Sequence, residues 1–81
     1  MKINTDNDPT IEKNIADIQA LYPGQLVLSQ RQFARLRDKS ILTLSRERKK
    51  GIGAEFKDNN GTIEYPVRKV AEWLSCTIKT N

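Results

Sequence analysis

Apolar residues recur along the chain at intervals that change from helical to alternating and back, and each change marks an element. Ile11, Ile15, Ile18 and then Leu21 or Tyr22 are spaced by three and four, the single stripe of an amphipathic helix. Asp8 stands ahead of that stripe as an N-cap, with Pro9 at the first helical position, where its missing N–H is not needed. Pro23-Gly24 ends the helix, and the polar residues 1–7 before it read as a disordered tail. Leu26-Val27-Leu28 is a short strand candidate. Ser29 with Gln32 three residues on forms a capping box, which predicts a second helix from Gln30 to about Arg37 with Phe33 and Leu36 inward. Asp38-Lys39 makes a tight turn. Ser40 then caps a third helix from Ile41 to Lys50, closed by Gly51 and Gly53. In this third helix Leu44 points inward, and Ile41, one turn earlier, is expected to pack as well.

Past Gly53 the pattern changes. Ala54-Glu55-Phe56-Lys57 and Thr62-Ile63-Glu64-Tyr65 flank the turn Asp58-Asn59-Asn60-Gly61, which predicts a β-hairpin with Asn-Gly as its strongest signal. Pro66 is expected to open a fourth helix, with Val67, Val70, Ala71 and Leu74 on one face. Trp73 at the edge of that face reads as core rather than as a platform for stacking bases, and Cys76 as a small, partly buried hydrophobe. Two short helices joined by a tight turn and followed by a hairpin describe a winged helix-turn-helix. The expected fold is therefore mainly α with a small β-hairpin wing, plus an extra N-terminal helix. Residues 1–24 form an acidic tail and accessory helix, 25–77 the winged domain and 78–81 a C-terminal tail. The accessory helix either packs on the domain or meets a partner, including a second copy of the chain.

Composition narrows the function. A chain of 81 residues buries only about 60–65% of its unfolded surface, leaving little room for a deep active site. Cys76 is the one cysteine and there is no histidine, which excludes an internal disulfide and cysteine–histidine zinc sites. It also removes the commonest general base near neutral pH. No glycine-rich phosphate loop is present. The expectation is a protein that is not an enzyme and carries no cofactor. No apolar run approaches the ~18–20 residues of a membrane span, and the first residues do not resemble a signal peptide. These features predict a cytoplasmic location without membrane attachment.

The net charge of +4 is unevenly placed. Residues 1–24 carry a net −2, whereas residues 31–50 set eight cations against Asp38 and Glu47 for a net +6. Duplex DNA binds such a cluster because neutralising its phosphates releases condensed counterions. On the third helix Leu42, Thr43, Arg46, Lys49 and Lys50 fall on the outer side. Thr43 and Arg46 are the candidates for base edges, since arginine can grip guanine O6 and N7 together. Lys49 and Lys50 suit phosphates, which position a protein without reading sequence. Arg31, in the first turn of the second helix, is either a phosphate clamp or an ordinary surface residue, and Arg35 one turn later is a weaker candidate. At the hairpin tip Lys57, Asn59 and Asn60 are plausible groove or backbone contacts, although any tight turn calls for such residues.

The stretch Thr43-Leu44-Ser45-Arg46-Glu47-Arg48-Lys49-Lys50-Gly51-Ile52-Gly53, followed by Phe56, then Tyr65-Pro66-Val67 and Val70-Ala71-Glu72-Trp73-Leu74, resembles the MerR-like winged-helix proteins of phages and prophages, the excisionases and AlpA-like regulators. The likeness covers roughly Leu26 to Leu74. It implies a small transcription regulator of prophage or mobile-element genes, or an excisionase-like directionality factor acting beside an integrase. It also implies sequence-specific binding to double-stranded DNA, with several copies gathering along it. By this resemblance Thr43 and Arg46 carry the recognition-helix contacts and the hairpin around Lys57 the wing contacts. Asp38 replaces the glycine usual in the turn, and Ile41 and Leu42 replace polar residues. Leu42 either touches thymine methyl groups or, with Ile41, marks a protein-binding surface. The alternative function is therefore a protein-interaction or phage packaging adaptor module on the same fold.

Overall fold

The computed structural model describes residues 9–78. It contains four helices, α1 (Pro9–Leu21), α2 (Gln30–Arg37), α3 (Ile41–Lys50) and α4 (Val67–Ile78). Between them lie three strands, β1 (Val27–Ser29), β2 (Lys57–Asn59) and β3 (Thr62–Pro66). The N-cap expected at Asp8 and the tails at 1–7 and 79–81 lie outside the described residues. Ile78, assigned to the C-terminal tail, belongs to α4. Among the described residues no helix is long and apolar enough to cross a membrane.

The strands form one antiparallel sheet in the order β1-β3-β2. The hairpin is thus joined by β1, whose Leu28 pairs with Tyr65 and whose Val27 pairs with Pro66. Alternation sorts the faces: Leu28, Tyr65 and Ile63 turn toward the core, while Ser29, Glu64 and Thr62 turn away. The hairpin turn is tighter than Asp58–Gly61. Asn59 pairs directly with Thr62, leaving Asn60 and Gly61 as a two-residue loop with φ of 56° and 89°. Two successive positive φ values match the twist of the flanking strands, so Asp58 and Asn59 are drawn into β2. Ala54, Glu55 and Phe56 remain outside it.

Pro66 does not open the fourth helix. It is the last residue of β3, and the Val67 N–H, which would otherwise begin the helix unbonded, donates to the Leu26 carbonyl at 2.9 Å. A proline suits a strand terminus because it has no N–H to offer the ladder. The caps at Ser29 and Ser40 form as expected. The Ser29 hydroxyl accepts from the Gln32 N–H while the Gln32 side chain accepts from the Ser29 N–H, and the Ser40 hydroxyl accepts from the Thr43 N–H.

One core unites all the helices. Ile11 and Ile18 of α1 are buried with Leu28, Phe33, Leu44, Tyr65, Val70 and Ala71. The α1 helix therefore packs on the domain, chiefly along α4, where the Asn14 side chain donates to the Ala71 carbonyl at 3.2 Å. Tyr22, not Leu21, completes its stripe: Leu21 stays 60% exposed. Cys76 is exposed rather than partly buried, because it falls about 180° around α4 from Val67 at 3.6 residues per turn.

Asp38 carries the turn between α2 and α3 in the left-handed conformation, φ 56° and ψ 44°. It thus takes up the backbone shape that glycine would supply, and its N–H caps α2 through the Ala34 and Arg35 carbonyls. Aspartate is among the few L-residues that tolerate this region, at some cost relative to glycine. Its carboxylate also stands at the negative end of the α2 dipole. Asp38→Gly is expected to raise stability by about 0.5–1 kcal/mol in urea unfolding, since it relieves both terms but adds chain entropy to the unfolded state. A loss of stability would show that the Asp38 side chain contributes something to the turn beyond its backbone shape.

Candidate nucleic-acid interface

The α3 helix is held by one buried residue, Leu44, and everything on its far side faces solvent. At 3.6 residues per turn, Leu42, Arg46, Lys49 and Lys50 fall within an arc of about 100°, with Arg46 and Lys50 only about 40° apart. All four are exposed, Leu42 by 57%. Thr43 lies at the border of this face, half-buried, with its hydroxyl 3.1 Å from that of Ser40. Ile41 is not packed as expected: it is 41% exposed. It occupies the first turn of α3, beyond the reach of the core. It borders an open recess of about 290 Å³ that it shares with Arg31, Ala34, Arg35, Asp38 and Lys39.

The eight cations of residues 31–50 divide into two classes. Arg37 is nearly buried and grips Glu47 with both terminal guanidinium nitrogens, at 2.7 and 2.8 Å. Its guanidinium lies over the rings of Trp73 and Phe33, 4.5 and 5.2 Å from their centres. Arg48 is half-buried and donates to the Tyr65 hydroxyl at 2.8 Å. Arg31, Arg35, Lys39, Arg46, Lys49 and Lys50 are all exposed, and none makes an ion pair with a described residue. Glu47, a carboxylate in the middle of the basic run, is occupied by Arg37. The hydrogen bond from Arg37 holds the Glu47 carboxyl below the ordinary glutamate range against the opposing effect of burial, with further help from the charges of Arg37 and Lys39.

The two glycines after α3 do different work. Gly51 takes the left-handed cap position at φ 72°. Gly53 allows close approach, because a Cβ there would lie 3.0 Å from the Glu47 Cβ. Trp73 is half-buried and donates its indole N–H to the Ile52 carbonyl at 3.1 Å, so the same turn is also fastened to α4.

At the hairpin, Lys57 and Asn60 are exposed as expected. Lys57 pairs across the ladder with Glu64, which offsets its charge, and the Asp58 carboxylate accepts from the Gly61 N–H at 2.9 Å. The hairpin therefore carries no net positive charge, and the weight of positive charge lies on α2, the Asp38-Lys39 turn and α3. Sequence reasoning passed over Lys39 and the special position of Arg48. The second was accessible: Arg48 stands one turn after the inward Leu44, on the same side of the helix.

A larger recess, about 560 Å³, opens between α1, α2 and α4, lined by Asn14, Asp17, Ile18, Leu36, Arg37, Trp73 and Leu74. It shares no residue with the exposed face of α3. No family model matches the chain, and no curated protein matches it either.

The Arg37–Glu47 pair makes stability pH-dependent with a definite sign. A carboxyl whose folded value is depressed contributes stability above its unfolded value and loses it as pH falls through the folded one. Glu47→Gln is expected to cost about 1.5–3 kcal/mol at neutral pH, the range for hydrogen bonds to charged groups. The gap from the unsubstituted protein should close as pH falls below the usual glutamate value of about 4.3. Urea unfolding of both proteins across that range measures it, and a gap independent of pH would exclude the ion pair as its source.

Proposed function

We propose that this chain is a winged helix-turn-helix protein that binds double-stranded DNA, with α3 entering the major groove. The observation that carries this reading is the shared exposed face of Leu42, Arg46, Lys49 and Lys50, flanked by the unpaired Arg31, Arg35 and Lys39. A rigid helix with Arg46, Lys49 and Lys50 on one side and its single carboxylate withdrawn matches a polyanion of regular shape. Arg46, near the centre of the arc, is the base-reading residue. Lys49, Lys50, Arg31, Arg35 and Lys39 meet phosphates on either side, and Leu42 suits the methyl group of thymine. The half-buried Thr43, tied to Ser40, is better placed to orient the first turn of α3. The β2–β3 hairpin is the wing, and its tip at Lys57 and Asn60, without net positive charge, makes a lesser contribution.

The resemblance to MerR-like excisionases and AlpA-like regulators extends this reading to a role. The protein would regulate prophage or mobile-element genes, or direct recombination beside an integrase, in the cytoplasm where that DNA lies. A second reading, as a protein-interaction or packaging adaptor module, draws on the recess between α1, α2 and α4, which an apolar partner side chain could enter while α3 stays free. Light scattering separates the two. A self-assembling adaptor forms defined oligomers without DNA, whereas the DNA-binding protein gathers only on a duplex.

Fluorescence anisotropy with labelled duplexes tests the primary reading. With about five phosphates neutralised, log affinity should fall against log salt with a slope of roughly −4 to −5. On a duplex selected from a random pool, Arg46→Ala should reduce discrimination between the selected and scrambled sequences by about 1–3 kcal/mol. Affinity indifferent to salt, or full discrimination without the Arg46 side chain, would overturn the reading.

A further inference from the structure

We propose that Arg48, although it lies within the basic run of α3, is a positioning residue that clamps the β2–β3 hairpin to α3 instead of contacting DNA. The inference rests on the duplex-binding reading above and assigns a role to a residue that reading leaves unused.

Three segments meet at this one guanidinium. Arg48 stands on the inner side of α3, one turn beyond Leu44, and is half-buried while Arg46, Lys49 and Lys50 are exposed. One of its terminal nitrogens donates to the Tyr65 hydroxyl at 2.8 Å. Its guanidinium carbon lies 5.6 Å from the centre of the Phe56 ring, and Phe56 is in turn 6.3 Å from the Tyr65 ring. Tyr65 is 1% exposed and packs against Phe33 at 4.5 Å between ring centres, so its hydroxyl is a fixed point of the core. Phe56 immediately precedes β2. One side chain thus links the groove-facing helix, the root of β2 and the middle of β3.

The hairpin needs such a link. All three residues of β2 are exposed, so that strand has no buried side chain of its own to hold it against the body. Two short strands joined by a two-residue turn are marginally stable by themselves. The inward side chains of β3 fix that strand, and the approach to β2 is steadied by Phe56 under the Arg48 guanidinium. The planar guanidinium suits this work because it can donate in its plane while its face lies on a ring. An arginine held on both counts is not available to swing outward to a phosphate as Lys49 is.

The test is a binding cycle on the full chain with a labelled duplex, using Arg48→Met, Tyr65→Phe, the hairpin pair Lys57→Ala with Asn60→Ala, and their combinations. Tyr65→Phe keeps the buried ring and deletes only the hydroxyl, so it remains informative even if Arg48→Met folds poorly. Arg48→Met should weaken binding roughly tenfold, within the range of coupled contacts, and Tyr65→Phe by a smaller factor in the same direction. In the background lacking the hairpin side chains either loss should shrink to less than about twofold, because a clamp has no effect on contacts already removed. In that background the Arg48 substitution should also leave the salt slope unchanged.

Equal losses in both backgrounds would make Arg48 a general structural residue and overturn the proposal. A slope reduced by about one in the background lacking the hairpin side chains would make it a phosphate contact and overturn it equally. Hydrogen exchange on the free protein provides a readout without DNA: both variants should speed exchange of the β2–β3 amides while α1 and α4 keep their protection. Unchanged hairpin exchange would refute the clamp whatever the binding result. If the unsubstituted protein failed to bind duplex while the variants loosened the hairpin, the clamp would stand and the duplex-binding reading would fall.

Discussion

The position of α3 depends on the bidentate contact between Arg37 and Glu47. Each partner is largely removed from water, with 12% and 17% of its side chain exposed, so each needs the other. Losing one leaves an uncompensated charge in a place that resists it. The pair is also wedged in place. The guanidinium lies on Phe33 and Trp73, and the Glu47 stem closes on Gly53. The pair thereby bears on the crossing of α2 and α3, on the path of the chain leaving α3 and, through Trp73, on α4. Leu44, the one fully buried residue of α3, would hold the helix against the core while leaving its rotation about its own axis far less defined.

That rotation gives the local sequence its meaning. Residues 46–50 are Arg, Glu, Arg, Lys and Lys, a run that in isolation is simply basic. With Glu47 turned to Arg37 and Arg48 to Tyr65, the helix presents Arg46, Lys49 and Lys50 outward together with Leu42. The same rotation separates cations that serve the fold from cations open to a partner. It also keeps the only carboxylate of α3 away from the exposed face. Electrostatic attraction to a polyanion would otherwise be blunted at its centre, since unlike charges at that spacing partly cancel within a Debye length of about 8–10 Å.

The unusual residues at the start of α3 and in the turn before it become intelligible in physical terms. Asp38 adopts the left-handed backbone otherwise supplied by glycine, so the helix-to-helix turn keeps its shape. Ile41 and Leu42 are exposed because they precede the point at which α3 meets the core.

Local chemistry along the chain determined a good deal. Both serine caps, the extents of α2 and α3, the helical stripe of α1 and the Asn-Gly hairpin follow from short-range rules that need only neighbouring residues, and all of them formed. So did the outward placement of Leu42, Arg46, Lys49 and Lys50, which is a matter of helical period. Tertiary structure decided the rest, because the deciding partners are distant in the chain. The third strand of the sheet required Leu28 to find Tyr65. Pro66 ended a strand, and did not begin a helix, because Val27 lay opposite it and the Leu26 carbonyl took the next N–H. Tyr22 displaced Leu21 through packing on the body. Arg37, Glu47 and Arg48 acquired their roles only when Trp73, Gly53, Phe56 and Tyr65 were brought beside them. Periodicity specifies which way a side chain points, but a charge pair or a ring contact exists only where folding has set two remote segments within a few ångströms.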